Sequence, residues 1–396
     1  MPSMCDELYD VIVVGGGPAG LFASRYASMG GARTLLVERN PSFSGPVICG
    51  EFIPSFEEAR SLMPNARGLS DFYEIASKTV SNRTSSILMF SPSNRLYEFK
   101  FHGLVLNKGL LNDTLASGSK RVGVEAVASC LVRKIDRKGD HLKIHAITRN
   151  GPKTLEAKVV VGADGFPSTT ASSAGMESGF YESDLALCIS RQMIDVRTDE
   201  KAVEMYFGNM IAPGGYAWII PKEDGAANVG LGVRLPRLEH GKNLHWWFNI
   251  FQTKHPVASP KLLNAKTIRS SIKFIPVGGV AKQICRGRIL LAGDSAGTVV
   301  PINGGGILTA AISGRIAGEQ AASFVRGESS LSGYRRLVND EIGDLIQRGL
   351  AYRKAADKVM GHDTLFNIMF SLLRGDNIAK IVQCRDSIFS KLLRFI

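Results

Sequence analysis

The first forty residues contain the pattern that most constrains the fold. Val11 to Val14 form a short run of β-branched apolar side chains, which predicts a buried parallel strand. In the turn that follows, Gly15 permits a tight bend, Gly17 lets the backbone approach a pyrophosphate, and Gly20 lets a helix lie close to the strand. The helix predicted from Pro18 to Met29 points its N-terminal amides at the phosphates. This order of elements predicts a dinucleotide-binding unit.

A second strand and a terminal acid complete this unit. Thr34 to Val37 is predicted as the strand, and Glu38 at its end is placed to hydrogen-bond ribose hydroxyls. Ala19 in the glycine turn and Arg39 after the acid complete the first group of expected cofactor contacts. An isolated glycine-rich turn is a weak signal, whereas strand, turn, helix, second strand and acid in this order are specific.

Two later segments repeat the arrangement of an apolar strand followed by an acid. Val159 to Val161 leads into Asp164-Gly165, and Ile289 to Leu291 leads into Asp294. Each acid would reach the carboxyl end of a parallel strand, where ligands of open α/β sheets bind.

With these three motifs the chain resembles the superfamily of FAD-dependent aromatic hydroxylases and geranylgeranyl reductases. The resemblance implies that FAD is the cofactor and that Asp294 holds its ribityl chain. It also implies that Asp164 and Gly165 lie near the pyrophosphate. The glycine-rich turn that approaches the isoalloxazine, and the first residue of the helix after it, would be Gly304, Gly305, Gly306 and Ile307.

The narrower resemblance is to the archaeal geranylgeranyl reductases, and it covers most of the chain. It is carried by the segments 46–51, which ends in Cys49-Gly50-Glu51, and 212–222. In that family the Cys-Gly-Glu turn, which includes Gly50, faces the flavin. The strand that lines the isoprenoid pocket there corresponds to Tyr216, Trp218 and Pro221.

One position departs from the family pattern. The family usually has an arginine that contacts FAD before a helix near position 109, whereas this chain has Asn107-Lys108. Lys108 keeps the positive charge but cannot form a two-pronged hydrogen bond. We expect this difference to affect the affinity for flavin rather than the identity of the cofactor.

The activity implied by the resemblance is the saturation of double bonds in geranylgeranyl chains of archaeal membrane lipid precursors. An isolated alkene has no carbonyl to polarise it, so protonation must accompany or precede hydride transfer. Cys49 and Glu51 are the candidate catalytic residues for this proton path. Two other roles stay open, because Cys49 could pack against the flavin and Glu51 could stabilise the turn. Tyr216 and Trp218 share one face of a strand, where aromatic residues also serve as simple core.

Two other functions stay open as alternatives to the reductase. One is a flavin-dependent monooxygenase that uses oxygen, and the other is a flavin-bound lipid carrier without turnover. The chain has no second nucleotide-binding unit, so the electron donor would be ferredoxin, a reduced deazaflavin or transiently bound NADPH.

The predicted fold class is α/β, with a Rossmann-like FAD-binding domain interleaved with a strand-rich substrate domain, plus C-terminal helices. The FAD-binding domain is predicted at 1–80, 104–175 and 276–330, the substrate sheet at 81–103 and 176–275, and the helical region at 331–396. The best strand candidates of the substrate sheet are 87–90, 185–193, 203–207, 216–220 and 228–233.

Composition excludes several other classes of protein. The hydrophobic fraction of 44% is ordinary for a globular chain, and no run approaches the roughly 18 apolar residues of a membrane span. The polar start lacks the regions of a secretory signal, so we expect a cytoplasmic protein. The six cysteines and seven histidines show no metal-ligand or disulfide spacing. We therefore predict no metal, and of the cysteines only Cys49 stands in a motif.

The net charge of +12 requires a partner or a solvated basic surface. The sequence contains no block of basic residues with interleaved aromatics, which would indicate binding to nucleic acid. Anionic lipid is therefore the preferred partner. Near the C-terminus, Leu365, Ile368, Met369, Leu372 and Leu373 stand at helical spacing. A break is predicted at 375–377, before a second apolar stretch at 388–396. These helices either lie at a membrane surface or pack on the protein itself or a second subunit.

Overall fold

The computed structural model describes residues 8–45, 49–238 and 241–385. Its two eight-stranded sheets, together with the helices around them, confirm the α/β class. The first sheet contains β1 (Leu8–Val14), β2 (Thr34–Val37), β6 (Glu125–Val127), β7 (Cys130–Lys138), β8 (His141–Thr148), β9 (Gly151–Gly162), β15 (Cys285–Arg286) and β16 (Ile289–Leu291). The second contains β3 (Phe52–Pro54), β4 (Val80–Phe90), β5 (Leu96–Leu106), β10 (Leu185–Ile194), β11 (Ala202–Tyr206), β12 (Tyr216–Pro221), β13 (Ala227–Arg234) and β14 (Lys266–Pro276).

Helices cover both sheets. They are α1 (Pro18–Met29), α2 (Phe56–Leu62), α3 (Leu69–Ala76), α4 (Lys108–Arg121), α5 (Thr169–Ser173), α6 (Leu244–Lys254), α7 (Ser259–Leu262), α8 (Ile307–Val325), α9 (Tyr334–Val338), α10 (Asp344–Asp357) and α11 (Asp363–Val382). In the described part of the chain, no helix has the length and hydropathy that a membrane span requires.

The first sheet brings the three predicted motifs to one edge. Its strand order is β15-β16-β9-β1-β2-β6, and β1 runs parallel to both β2 and β9. Strand β16 is parallel to β9, so the carboxyl ends of β1, β9 and β16 meet. The side chains of Val11, Val13, Val159 and Val161 are fully buried, as predicted for central parallel strands.

Close helix packing fixes the glycine turn on this sheet. A Cβ atom added to Gly314 of α8 would lie 2.1 Å from the carbonyl oxygen of Ala19 in α1. The same addition at Gly318 would lie 2.2 Å from the carbonyl oxygen of Ala23. The two helix backbones touch at these points, so α8 presses the start of α1 against the sheet.

The second sheet has the order β14-β10-β13-β12-β11-β4-β5-β3 and is antiparallel except where β11 meets β4. One face packs against α6 through Trp247, Phe248 and Phe251. On the opposite face, Phe366 and Phe370 of α11 join the apolar side chains of the sheet. The five strand candidates of the substrate sheet match β4, β10, β11, β12 and β13, although the candidate 203–207 extends one residue beyond the end of β11.

The sheets alternate along the chain as the interleaved arrangement requires, and the predicted domain limits stay a prediction. Strand β3 lies within the segment assigned to the FAD-binding domain, yet it pairs with β5 in the second sheet. Strand β5 also extends to Leu106, beyond the predicted limit at residue 103.

The predicted helix break at 375–377 is wrong, because α11 is continuous across it. A glycine inside a helix costs only about 1 kcal/mol relative to alanine. Phe366 and Phe370 before the break and Ile378 after it are all buried on the sheet, and this packing outweighs that cost. The second apolar stretch, 388–396, lies outside the described residues.

Candidate functional site

The glycine turn after β1 combines close packing with open space. Gly15 has φ +108°, and a Cβ atom on Gly20 would lie 1.8 Å from the carbonyl oxygen of Gly15. At Gly17, by contrast, an added Cβ would meet no atom within 4 Å. The turn is therefore tight toward the protein and open on the side where a phosphate would approach.

Glu38 stands at the end of β2 and faces this turn. Its carboxylate accepts the backbone N–H of Gly16 at 2.6 Å and that of Asn40 at 2.8 Å. The side chain is 8% exposed, whereas the next residue, Arg39, is exposed to solvent. The acid thus joins the second strand to the glycine turn, at the position predicted for a ribose contact.

Asp164 lies beside the same turn, since its Cα would be 3.0 Å from a Cβ atom on Gly15. Its carboxylate accepts the Ser168 hydroxyl at 2.7 Å and the Thr170 backbone N–H at 2.9 Å. Burial raises the pKa of Asp164, although these hydrogen bonds act in the opposite direction. The side chain organises its own loop, and the open position at Gly165 (φ +78°) faces outward.

Asp294 pairs with a lysine that sequence reasoning missed. The ammonium of Lys273 on β14 donates to its carboxylate. Burial by itself would raise the pKa of Asp294, but Lys273 and, more weakly, Lys108 hold it below its ordinary value. The only sequence signal for Lys273 was its place in the short stretch 272–276, where the other four residues are apolar.

Asp294 also faces the third glycine turn. A Cβ atom on Gly306 would lie 3.6 Å from its Oδ1 atom. Gly304, with φ +70°, has no atom within 4 Å of an added Cβ, and Ile307 begins α8 directly after the turn. The turn is therefore open on one side and bounded by the acid on the other.

An apolar cavity of about 300 Å³ extends from this turn between the second sheet and the C-terminal helices. Tyr216 and Trp218 line it, as predicted for the pocket strand, and so does Ile220. Pro221, which we predicted at the pocket, is not among the lining residues. Since successive side chains of a strand alternate between faces, 216, 218 and 220 share the cavity face and 221 points away.

Hydrogen bonds fix the two aromatic residues. The Tyr216 hydroxyl donates to the carbonyl oxygen of Asn303 at 2.5 Å, which ties β12 to the glycine turn. The Trp218 Nε1 atom donates to Oδ1 of Asn228 at 2.9 Å. Both residues contribute apolar surface to the cavity, but their polar atoms also hold its wall in place.

Cys49 and Gly50 also line the cavity. The Cys49 carbonyl oxygen accepts Nδ2 of Asn228 at 2.6 Å, and its Sγ atom accepts the backbone N–H of Glu51 at 3.2 Å. Residues 46–48 of this motif lie outside the described residues. Cys188, for which no role was predicted, also lines the cavity, and burial raises its pKa to about 12.

Glu51 is fully buried and has φ 62°, a conformation that costs a non-glycine residue free energy. Its carboxylate pairs with the ammonium of Lys222 at 2.6 Å and accepts Nδ2 of Asn228 at 3.2 Å. The backbone N–H of Lys108 donates to it at 3.0 Å. These partners compensate the strain and support the turn-stabilising role left open for Glu51.

These observations fit a dinucleotide with an attached ring system. The open sides of Gly17 and Gly304, the acids Glu38 and Asp294, and a cavity that begins at the third glycine turn are all present, and Gly293 beside Asp294 lies close to Ala19 in the first turn of α1. Among the described residues no three His, Cys, Asp or Glu side chains cluster as a metal site would require. The expectation that no metal is needed stays a prediction.

Family models and curated relatives match most of the chain. The model described as FAD dependent oxidoreductase matches residues 10–204, and the one described as Geranylgeranyl reductase catalytic domain matches residues 184–271. The digeranylgeranylglycerophospholipid reductase of Methanocaldococcus jannaschii is 31% identical over 388 residues, which cover 96% of this chain and 95% of that protein. Digeranylgeranylglycerophospholipid reductase 2 of Methanothermobacter thermautotrophicus is 32% identical and covers 94% of both chains.

Solved structures share the fold. A geranylgeranyl bacteriochlorophyll reductase-like protein from Thermoplasma acidophilum superposes with a TM-score of 0.81, at 24% identity, over 98% of this chain and 99% of the other. A p-nitrophenol 4-monooxygenase from Pseudomonas putida gives a TM-score of 0.70 at 17% identity, over 99% of this chain and 97% of that one. At these identities the likeness concerns architecture alone.

Proposed function

Because this chain belongs to the geranylgeranyl reductase family of FAD-dependent oxidoreductases, we propose that it saturates carbon–carbon double bonds in geranylgeranyl lipids. The substrate is a digeranylgeranylglycerophospholipid, and the product is the saturated archaeol lipid. The observation that carries this proposal is the apolar cavity between Cys49 and the turn at Gly304 to Gly306. An isoprenoid chain in this cavity would lie against the expected position of the flavin ring.

The cofactor contacts proposed for this function lie in or near the glycine turns and the Cys49 turn. They are Gly15, Gly17, Ala19, Gly20, Glu38, Arg39, Cys49, Gly50, Lys108, Asp164, Gly165, Asp294, Gly304, Gly305, Gly306 and Ile307. FAD in its reduced form supplies the hydride for the alkene.

The residues of the chain would orient the substrate, exclude water and provide a proton path. Tyr216 and Trp218, held by Asn303 and Asn228, form a fixed apolar wall that orients the alkene and excludes water. Cys49 is the proposed proton source, because its side chain lies at the cavity in the turn that faces the wall. Glu51, paired with Lys222, is the positioning residue for this turn.

An anaerobic single-turnover experiment tests the function. The purified protein is photoreduced and then mixed with geranylgeranyl lipid, and the lipid is analysed by mass spectrometry. We expect reoxidation of the flavin and a gain of two hydrogens for each reduced bond. Unchanged lipid beside reduced flavin would support the lipid carrier, and a product that needs oxygen would support the monooxygenase.

Variants of the turn test the proton path. Cys49→Ala should lower the single-turnover rate by roughly 100-fold, the lower range of a lost general acid, while FAD stays bound. Glu51→Gln should weaken the turn and lower both rate and FAD content. Cys130→Ala, a buried cysteine outside the cavity, is the control. Parent rates in both turn variants would contradict these roles.

The electron donor is proposed to be ferredoxin, a reduced deazaflavin or NADPH. Positive charge on the surface would suit acidic ferredoxin as well as lipid phosphate. Rapid-mixing measurement of flavin reduction by each donor distinguishes them, because the donor that the protein uses should reduce the flavin much faster than the other two.

We also propose peripheral contact with a membrane through α11. Its inner side chains Met369 and Leu373 line the cavity, whereas its outer side chains Leu365, Ile368 and Leu372 are 48%, 50% and 77% exposed. An apolar face above the lipid cavity suits binding at a bilayer surface.

Flotation with anionic vesicles tests this contact. Changing Leu365, Ile368 and Leu372 together to serine should reduce the floated fraction severalfold. Changing the exposed side chains Leu263 and Ile268, which lie outside α11, to serine should leave flotation at the parent level. Equal flotation of both variants would exclude a role of α11 in membrane binding.

A further inference from the structure

The charged residues of the cavity wall fall into two groups. Among the described lining residues, Glu51, Arg234, Arg353 and Asp357 are the four with formally charged side chains. Glu51 contacts Asn228 near the start of β13, whereas Arg234 ends that strand. Six residues of extended strand separate 228 from 234, which corresponds to about 20 Å. The arginine pair therefore marks the opposite end of the strand from Glu51.

These two arginines are deeply buried. Arg234 is 8% exposed and Arg353 is 5% exposed. Arg353 pairs with Asp184 at 2.9 Å, whereas Asp357 lies 3.4 Å from Arg234 and 3.6 Å from Arg353. The distances to Asp357 exceed those of good charge-assisted hydrogen bonds, which are about 2.7–2.9 Å.

Within the part of the chain that the structure describes, few acceptors face these guanidinium groups. Two arginines carry ten N–H donors between them. The acceptors are the Ser183 carbonyl oxygen, shared by both, and the carboxylates of Asp184 and Asp357. The Nε atoms of Arg234 and Arg353 are buried without a hydrogen-bond partner. Burial lowers the pKa of Arg234, which agrees with incomplete compensation of its charge.

A glycine turn and a third arginine place this pair near solvent. A Cβ atom on Gly214 would lie 2.9 Å from Cγ of Arg234 and 3.3 Å from Cγ of Arg237. Arg237 is exposed, and the side chain of Asp357 is 34% exposed. Asp184 and Asp357 balance the charges of the two buried arginines, and Arg237, beside the cavity-lining Gly214, adds one positive charge.

We propose that Arg234 and Arg353 form a binding subsite for the phosphate group of the lipid substrate, which rests on the function proposed above. Guanidinium groups bind phosphate oxygens through parallel hydrogen bonds, and the apolar cavity beside them accepts the hydrocarbon chain. The subsite fixes the anionic end of the lipid and so selects phosphorylated over uncharged lipids. Its position sets which part of the chain reaches the Cys49 turn.

The test compares two lipids with identical geranylgeranyl chains, digeranylgeranylglyceryl phosphate and the uncharged digeranylgeranylglycerol. Steady-state reduction and equilibrium binding in detergent micelles are measured for both. Arg234→Gln and Arg353→Gln should each raise KM and Kd for the phosphate lipid by about 10- to 100-fold. Both constants for the uncharged lipid should stay within about twofold of the parent, and Arg335→Gln is the matched control. Arg335 holds the carbonyl oxygens of Ala281 and Lys282 outside the cavity.

The outcomes separate the subsite from the function. If the parent reduces neither lipid, the proposed function fails. The Kd values of the two lipids then still test the subsite. The subsite is overturned if the arginine variants bind both lipids equally more weakly than the parent does. It is also overturned if the parent does not bind the phosphate lipid more tightly than the uncharged one. Tight binding of inorganic phosphate that depends on Arg234 but does not compete with the phosphate lipid also overturns it. Where a glutamine variant fails to fold, Arg353→Lys should fold and give the same selective loss to a smaller degree.

Discussion

Residue positions in the site show which contacts a sequence pattern can and cannot predict. The motif around Cys49 placed Glu51 near the cavity, but its partners Lys222 and Asn228 stand more than 170 positions later. Such pairs form only when β12 and β13 meet the turn, so no local pattern contains them. The sequence of β12 did hold enough information to place Ile220 at the pocket and Pro221 away from it, because side chains of a strand alternate between its faces. The prediction of Pro221 at the pocket did not apply this alternation.

The buried pair of Glu51 and Lys222 leads to a stability prediction. Lys222→Met should lower the free energy of unfolding by about 3 kcal/mol, because it leaves a buried carboxylate without its counter-ion. Adding Glu51→Gln to this variant should restore more than about 1 kcal/mol. Denaturant unfolding measures both values. Lys282→Met removes an exposed pair and should change stability by less than about 0.5 kcal/mol. A double variant no more stable than Lys222→Met would contradict the pairing.

At the level of elements, the contact between α1 and α8 connects folding to the cofactor cleft. Gly314 and Gly318 lie one helical turn apart, and each touches the backbone of α1 directly. The sequence predicted a helix beginning at Ile307, but not the helix against which it packs. The continuity of α11 was missed for a similar reason, because burial of its aromatic side chains on the second sheet outweighs local helix propensity.

This helix contact gives a second prediction. Gly314→Ala should destabilise the protein by about 1–3 kcal/mol, since its methyl group would overlap the carbonyl oxygen of Ala19. The affinity for FAD should fall as well, because Ala19 stands in the first turn of α1. Gly333→Ala is the control, since an added Cβ there meets no atom within 4 Å. Thermal unfolding and fluorescence titration with FAD give the two values, and parent-like results for Gly314→Ala would refute the tight contact.

Across the whole molecule, the order of the sequence motifs predicted the α/β fold class and the alternation of FAD-binding and substrate segments along the chain. The second sheet could be outlined from five short apolar runs, but its strand order could not. Strand β11 pairs in parallel with β4, more than 100 positions earlier, and no turn pattern encodes such a pairing. On the α6 side of this sheet, His255 packs against Tyr206 of β11 and Phe251 of α6 and is 4% exposed.

His255 predicts how stability responds to acid. Burial lowers the pKa of His255 from 6.5 to about 4, and its Nδ1 atom accepts the backbone N–H of Ala258 at 3.2 Å. Between these pH values the unfolded chain binds a proton that the folded chain does not. Stability is therefore complete above pH 6.5 and decreases as the pH falls toward 4, by about 3 kcal/mol in total.

Comparison with His255→Asn isolates this contribution, because asparagine can accept the same backbone hydrogen bond without titrating. Denaturant unfolding from pH 7 to 4 should show the parent losing about 3 kcal/mol more than the variant. The exposed His102→Asn serves as the control and should follow the parent. Parallel curves for the parent and His255→Asn would show that the pKa of His255 does not differ between the folded and unfolded states.

The position of β9 between β1 and β16 has a consequence for biosynthesis. A ribosome completes β9 at residue 162, but the strand that pairs with its other edge ends at residue 291, and α8 ends only at residue 325. Until those segments emerge, the growing chain carries an unpaired apolar edge that invites aggregation. Chaperone binding to the nascent polypeptide between these two points would protect that edge until translation supplies its neighbour.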